Sequence, residues 1–508
     1  MIWNKERKRA LSEILNRMVY GMFILLCIAM LLSTVLYVFF HGVEKETWET
    51  AYIAEILTAG VIVAAFLFLF RRRMKRRDPR KEFRPVYAVL TICVISFFLQ
   101  IVIVLFFKVE PRGDYLRFLN AAEDLAAGQP LRDSRYIALF PHILGYANFL
   151  AFSIHLFDRT GIAPFLNVVL NTASTGLIFF ILYEITKNTY KGLLAGLFWS
   201  MYPPMLIYNC MVLSEPLYTA LILLAILLFL LLEKRLKSEK EKRTLSFVGI
   251  GFAFAVLLRM INIVRPVAGI LIIALLIWIF ILAGRKQFLK GGKYACLCFL
   301  ITVFAVYHLG GAVWNAKITG QLGEEPASAP IYNLLTGLNT DVSGTHSSAD
   351  SKLLMELRDQ PNATAKSAQA GLIDPLKSRI RGMSISEYLR LVAEKMKIFA
   401  GNGESAVSYV YPELTARQFQ MLRALSNTCY YTVVLLAAIN TAKRLKNVRN
   451  GVLVLVPLYV LGLTIAHVLF LEVAGRYHYS CIPMLIILGA SFLDSAESEE
   501  NYSEEENL

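Results

Sequence analysis

The chain has 508 residues, 56% of them hydrophobic, with a mean hydropathy of +0.53. Soluble domains hold roughly 45–50% apolar residues, so a conventional soluble enzyme is excluded and lipid is the solvent for most of the chain. A net charge of +14 would suit a nucleic-acid binder only if Lys and Arg shared one polar face; they fall in short clusters between long apolar runs, the pattern that orients membrane helices.

From the N-terminus, Lys5, Arg7, Lys8 and Arg9 precede an apolar run over 18–40. That run exceeds the ~7–15 residues of a signal-peptide core and lacks a small-residue cleavage site, so a retained first span is expected. Further runs near the ~20 residues a crossing needs lie at 51–70, 86–107, 162–186, 191–210, 216–232, 245–263, 266–283, 293–313, 425–442, 451–470 and 478–494. The expected fold class is therefore an all-α polytopic membrane protein with about 12 transmembrane helices.

Orientation follows from charge. Residues 71–84 (RRRMKRRDPRKEFR) hold nine Lys or Arg, which makes this turn cytoplasmic and puts 108–137 outside. Residues 138–157 are apolar enough to cross, but a crossing there would export the basic segment Glu233–Arg243. An interfacial helix keeps that segment inside together with the turns at Lys187/Lys191, Arg285–Lys293 and Lys443–Arg449. Both termini are then cytoplasmic, and the acidic tail 495–508 is expected to be disordered. Leu116, Leu119, Ala122 and Leu125 repeat at helical spacing, which predicts an amphipathic helix over 113–128 lying in the membrane surface. Residues 314–424 turn polar, with helix-like stretches near 384–399 and 412–425, and a small, mostly helical external subdomain is expected.

Charges near or within the membrane are the informative ones, because burying them is costly and they usually mark a site. Asp114, Glu215, Arg259, Arg265, Arg476 and His478 all come out at the outer face in this orientation. Carboxylates Asp114 and Glu215 suit proton acceptance or sugar binding; Arg259, Arg265, Arg476 and His478 suit a phosphate, Arg through its planar fork. A phosphate at the membrane surface points to a lipid. Each residue also has a structural alternative: snorkelling anchors for Arg265 and Arg476, a buried Arg259–Glu215 pair, a helix-start charge for Glu215, a cap for Asp114 and plain packing for His478.

Four short motifs run in order along the chain: Gly113–Tyr115 (GDY), Ser214–Leu217 (SEPL), Arg265–Pro266, and Arg476–Tyr477 with Pro483. Together they resemble the GT-C superfamily of polytopic glycosyltransferases, in particular bacterial members of glycosyltransferase family 39, relatives of protein mannosyltransferases and of the lipid A aminoarabinose transferase. The resemblance runs over 86–494 and implies transfer of a sugar from a polyprenyl-phosphate carrier to an external acceptor, with inversion. It implies Asp114 as catalytic base, Glu215 as second acid, and Arg265 and Arg476 near the carrier phosphate. Tyr115 and Tyr477, within two of the motifs, are expected substrate contacts.

The organisation expected is an N-terminal hairpin and basic loop (1–85), a GT-C-like core (86–313) with an external catalytic loop (108–160), the external subdomain (314–424), C-terminal helices (425–494) and the tail (495–508). The hairpin, and a first-loop motif with one acid instead of a pair, depart from the family pattern. No cofactor is expected to be required, and the single acid puts a divalent metal in doubt. Expected partners are the lipid bilayer, a polyprenyl-phosphate-linked sugar and a glycan, lipid or protein acceptor, with no nucleic acid. The expected location is the plasma (inner) membrane, most simply of a bacterium. Two other classes stay open, a transporter of a lipid-linked or anionic substrate and a non-catalytic envelope-assembly protein. No Walker A loop or HExxH is present; Gly192 and Gly196 suit close helix packing, Cys296 and Cys298 point to different helix faces, and the seven Cys have no metal-ligand spacing.

Overall fold

In the computed structural model the described residues are 2–41, 50–75, 84–237, 244–282, 293–327, 331–445 and 452–491. The acidic tail 495–508 and most of the basic turns used for orientation (76–83, 238–243, 285–292 and 446–449) lie outside them. The described part is all-α. Its main helices are α1 (Ile2–Leu31), α2 (Thr50–Lys75), α3 (Pro85–Phe106), α4 (Asp114–Ala126), α5 (Ile143–Phe157), α6 (Ala163–Thr186), α7 (Glu215–Lys237), α8 (Thr244–Val264), α9 (Ala268–Phe280), α10 (Lys293–Leu322), α11 (Ile385–Ala400), α12 (Ala416–Arg444), α13 (Leu455–Ile465) and α14 (Cys481–Ser491).

Among the described residues eight helices are long and apolar enough to cross a bilayer: α1, α2, α3, α6 with its preceding turn, α7, α8, α10 and α12. Their outward faces carry large apolar side chains with no protein cover, such as Leu105 (72% exposed) and Phe304 (68%), as a lipid-facing surface requires. Four other expected spans fall on shorter or interrupted helices. The run 191–210 breaks after Ser200 and resumes only over Pro203–Tyr208, because two consecutive prolines at 203 and 204 cannot continue a helix. The chain over 266–283, 451–470 and 478–494 is helical over Ala268–Phe280, Leu455–Ile465 with a π turn Ala466–Phe470, and Cys481–Ser491. Helix α5 has 15 residues, a rise of about 22 Å against a hydrocarbon core of ~30 Å. The stretch 412–425 forms no separate helix: Thr415 caps α12 through a reciprocal bond with Gln418, and the helix runs unbroken to Arg444.

The break at 201–214 is affordable because it is buried in protein. Asn209 donates to Gln100 Oε1 at 2.8 Å, Gln100 donates to Ser96 Oγ at 2.6 Å, Asn171 donates to Asn209 Oδ1, Tyr479 donates to Asn171 Oδ1 at 2.9 Å, and Asn167 donates to the Met211 carbonyl at 2.7 Å. Irregular backbone at membrane depth survives only where neighbouring side chains satisfy it in this way. The ladder fixes the short segment that delivers Ser214 and Glu215 to the start of α7.

Helices α4 and α5 pack together, α8 pairs with α10, and α1 and α2 pack against α12. The segment after the π turn is held by the 331–344 stretch. Glu472 N–H donates to the Asn333 carbonyl at 2.9 Å, and Val473 N–H to the Gly344 carbonyl at 2.9 Å. Gly337 permits this approach: a Cβ there would lie 2.3 Å from the Leu471 carbonyl carbon and 2.4 Å from the Phe470 oxygen. Both are backbone atoms. Gly337→Ala is therefore expected to cost about 1–3 kcal/mol and to displace 470–476; a thermal melt unchanged from wild type would contradict this close contact.

Candidate active site

Gly113 has φ +55°, a conformation open to glycine and costly for other residues. It turns the chain so that Asp114 becomes the first residue of α4, where the helix dipole favours a carboxylate. Arg265 closes the last turn of α8, its N–H donating to the Ile261 carbonyl at 2.8 Å, and Pro266 ends the helix. Arg476 sits in the short turn Gly475–His478. A Cβ on Gly475 would meet Ser405 Cβ at 2.5 Å, so glycine lets this turn lie against the 401–409 segment.

These turns, far apart in sequence, meet. Arg476 Nη2 donates to Asp114 Oδ2 at 3.0 Å, and its Nε lies 3.8 Å from Glu215 Oε1. Arg265 donates through Nη2 to Glu215 Oε1 and through Nε to Ser214 Oγ, both at 3.0 Å. Arg117 Nη1 lies 3.6 Å from Asp114 Oδ1. Glu215 is thus the hidden counter-ion of two arginines, its side chain 1% exposed. Burial pushes the Asp114 carboxyl upward, but Arg476, then Arg265 and Arg117, outweigh it and hold the group below its ordinary range.

Asp114, Arg265, Arg476 and Tyr477 line a cavity of about 1040 Å³, of the size small-molecule sites have. The same wall carries apolar side chains, Ile270 and Ile273 of α9 with Leu463 and Ala466, and polar ones, Asn333, Thr345, His346 and Ser351, beside the charged residues.

Not every expected site residue reaches the cavity. Glu215 is absent from its lining and stands behind the arginines, its carboxylate paired with Arg265. Tyr115 is buried, donates to Tyr409 at 3.0 Å and lies under Arg476, its ring centre 5.1 Å from the guanidinium carbon; Tyr409, not Tyr115, faces the cavity. Arg259 is engaged elsewhere. Its Nε donates to the Tyr307 carbonyl at 2.9 Å, it stacks on the Tyr307 ring at 3.9 Å, and it fills the space left by Gly310 and Gly311. It clamps α8 to α10, and the buried pair proposed for it with Glu215 is made by Arg265. His478 is packed among Phe399 and Tyr430, with ring centres 6.1 and 5.6 Å away, and is not on the cavity wall.

The cavity also holds residues that sequence reasoning passed over: Tyr136, Tyr332, Tyr409 and Glu472. The available signal for Glu472 was an acid between an apolar span and the Arg476–Tyr477 motif, in LEVAGRY. The tyrosines carry no such mark in a chain with 24 of them.

No family model and no curated protein matches the sequence. Solved structures with which the chain aligns include two of the archaeal oligosaccharyltransferase from Archaeoglobus fulgidus. One is AglB in complex with an inhibitory peptide and a dolichol-phosphate, at TM-score 0.43 and 13% identity over 84% of this chain and 52% of that one. The other is an apo form, at TM-score 0.34 and 10% identity over 84% of this chain and 60% of that one. A third is ArnT from Cupriavidus metallidurans bound to undecaprenyl phosphate, at TM-score 0.31 and 12% identity over 80% of this chain and 77% of that one. The chain spans a little over half the length of the two archaeal proteins.

Proposed function

We propose that this protein is an integral-membrane glycosyltransferase that moves a sugar from a polyprenyl-phosphate donor to a hydroxyl acceptor at the outer face. One observation carries the reading: Asp114, Arg265 and Arg476, remote in sequence, line one cavity whose wall also has apolar side chains, Ile270, Ile273 and Leu463, and polar ones, Asn333, Thr345 and Ser351. A prenyl chain suits the apolar side chains, a glycan, lipid or protein acceptor suits the polar ones, and a phosphate suits the arginines.

The reaction needs no covalent enzyme intermediate. The acceptor oxygen attacks the anomeric carbon from the face opposite the phosphate, the bond from that carbon to the carrier phosphate breaks, and the configuration inverts. Arg265 and Arg476 take up the charge that grows on the leaving phosphate. Asp114, ionised throughout the neutral range, receives the acceptor's proton. Glu215 keeps both arginines in place and moderates their charge. A metal fits poorly here: the Asp114 carboxylate is engaged with Arg476 and Arg117, Glu215 with Arg265, and among the described residues no three His, Cys, Asp or Glu gather to hold an ion.

The test is release of carrier phosphate by the purified protein in lipid nanodiscs, given a panel of polyprenyl-phosphate sugars and crude envelope as acceptor. Wild type should turn over at least one donor, and Asp114→Asn should lower kcat about 10²–10⁴-fold, the range of general-base catalysis. Full activity in Asp114→Asn would remove the base assignment; no turnover of any donor beside a working control enzyme would remove the transferase reading.

A further inference from the structure

Glu472 is the one carboxylate on the wall of the cavity that the mechanism leaves unused. Its backbone is pinned on both sides: its N–H donates to the Asn333 carbonyl at 2.9 Å, and His467 Nδ1 lies 2.7 Å from its own carbonyl oxygen. The loop therefore does not depend on the side chain. Asp114 and Glu215 each hold an arginine, whereas among the described residues the Glu472 carboxylate makes no hydrogen bond or ion pair, although it feels the charges of both Arg476 and Arg265. Burial is the main cause that pushes it up to about 7. Half-buried on the cavity wall with no donor from the described residues, this carboxylate is open to the hydroxyl donors of a ligand.

The neighbours indicate which ligand. The hydroxyls of Tyr136, Tyr332 and Tyr477 feel the charge of Glu472, and all three side chains line the same cavity. Aromatic faces suit the C–H faces of a pyranose, and a carboxylate accepts from its hydroxyls. Charge narrows the class further. Above about pH 7, where Glu472 is ionised, Arg117, Arg265 and Arg476 meet Asp114, Glu215 and Glu472 around the site, three positive charges against three negative ones. Once the donor phosphate is seated, no cation is left to neutralise a second anion.

We infer that Glu472 is a specificity-determining residue that accepts hydrogen bonds from hydroxyls of the transferred sugar and restricts the donor to sugars without an acid group. This rests on the transferase reading and adds to it the chemistry of the sugar. Glu472→Gln preserves shape and removes the charge, so two consequences follow. Neutral sugars lose a charge-assisted contact, and the barrier to an acidic sugar falls.

The measurement is kcat and KM for matched pairs of donors on one polyprenyl phosphate, glucosyl against glucuronosyl and galactosyl against galacturonosyl, with wild type and Glu472→Gln in nanodiscs. Wild type should prefer the neutral member of whichever pair it accepts by about 100-fold or more. The variant should lose about 10–100-fold in kcat/KM on that member, mainly through KM, and its preference should shrink to within about 10-fold. An unaltered preference, or a wild type that favours the uronosyl donors, overturns the inference while leaving the transferase reading intact. If wild type turns over no donor of the full panel, these pairs included, beside a working control enzyme, both fall. Should Glu472→Gln not purify as a folded species, Glu472→Asp serves instead: with the charge kept and the reach shortened, the preference should persist while KM rises, and loss of the preference would contradict the inference.

Discussion

Replacing Arg476 by lysine is expected to lower kcat/KM about 10²–10³-fold, nearly as much as replacing it by alanine, even though the charge is kept. Arg476 does three things at once. It holds Asp114 at 3.0 Å, approaches Glu215 at 3.8 Å, and lies between the rings of Tyr115 and Tyr477, 5.1 and 5.5 Å from their centres. An ammonium group has neither the planar fork to span two carboxylates nor the flat face to stack between two rings. Asp114 loses the guanidinium hydrogen bond as well, so its carboxyl should move part of the way back up toward the ordinary range. Steady-state kinetics on the donor panel reads the loss, and a lysine variant with more than a tenth of wild-type kcat/KM would show that a point charge is enough.

Removing the carboxylate of Glu215 should cost about 3–5 kcal/mol of stability, because Arg265 is then left buried and uncompensated. The Arg265 side chain is only 14% exposed, and Glu215 is its partner at 3.0 Å. Glu215→Ala should melt well below wild type in detergent or nanodiscs. The double variant Glu215→Leu/Arg265→Met should recover much of that loss, since an apolar pair of similar volume costs little or nothing in a buried position, yet it should remain inactive for want of the phosphate contact. A double variant as unstable as Glu215→Ala would mean that the Ser214 bond to Arg265, or the buried backbone around it, carries the stability instead.

Some of this site could be read directly from the chain. Long apolar runs demand helices in lipid, since no other element satisfies its own backbone there, apart from a closed barrel, and basic turns orient those helices. That reasoning selects six costly charges, Asp114, Glu215, Arg259, Arg265, Arg476 and His478, and four of them, Asp114, Glu215, Arg265 and Arg476, meet. The helix at Asp114–Ala126 was equally legible, because an amphipathic repeat is a local property.

Local signals also misled. Arg259 and Arg265 look alike in sequence, six residues apart in LLRMINIVRPV. Only the position of α10 separates them: Gly310 and Gly311 open a slot that takes the Arg259 guanidinium onto Tyr307, while Pro266 ends α8 and leaves Arg265 free to reach Ser214 and Glu215.

What the sequence by itself determined, then, is the class of the chain and most of the costly charges that gather, because hydropathy and charge act along short stretches. Which arginine takes which acid, that Glu215 stands behind the cavity wall, and that Glu472 stands on it without a partner were decided by tertiary structure alone. Ion pairs depend on distances of a few ångströms between helices whose order in space the chain does not spell out, and the close approaches at Gly337 and Gly475 set those distances here.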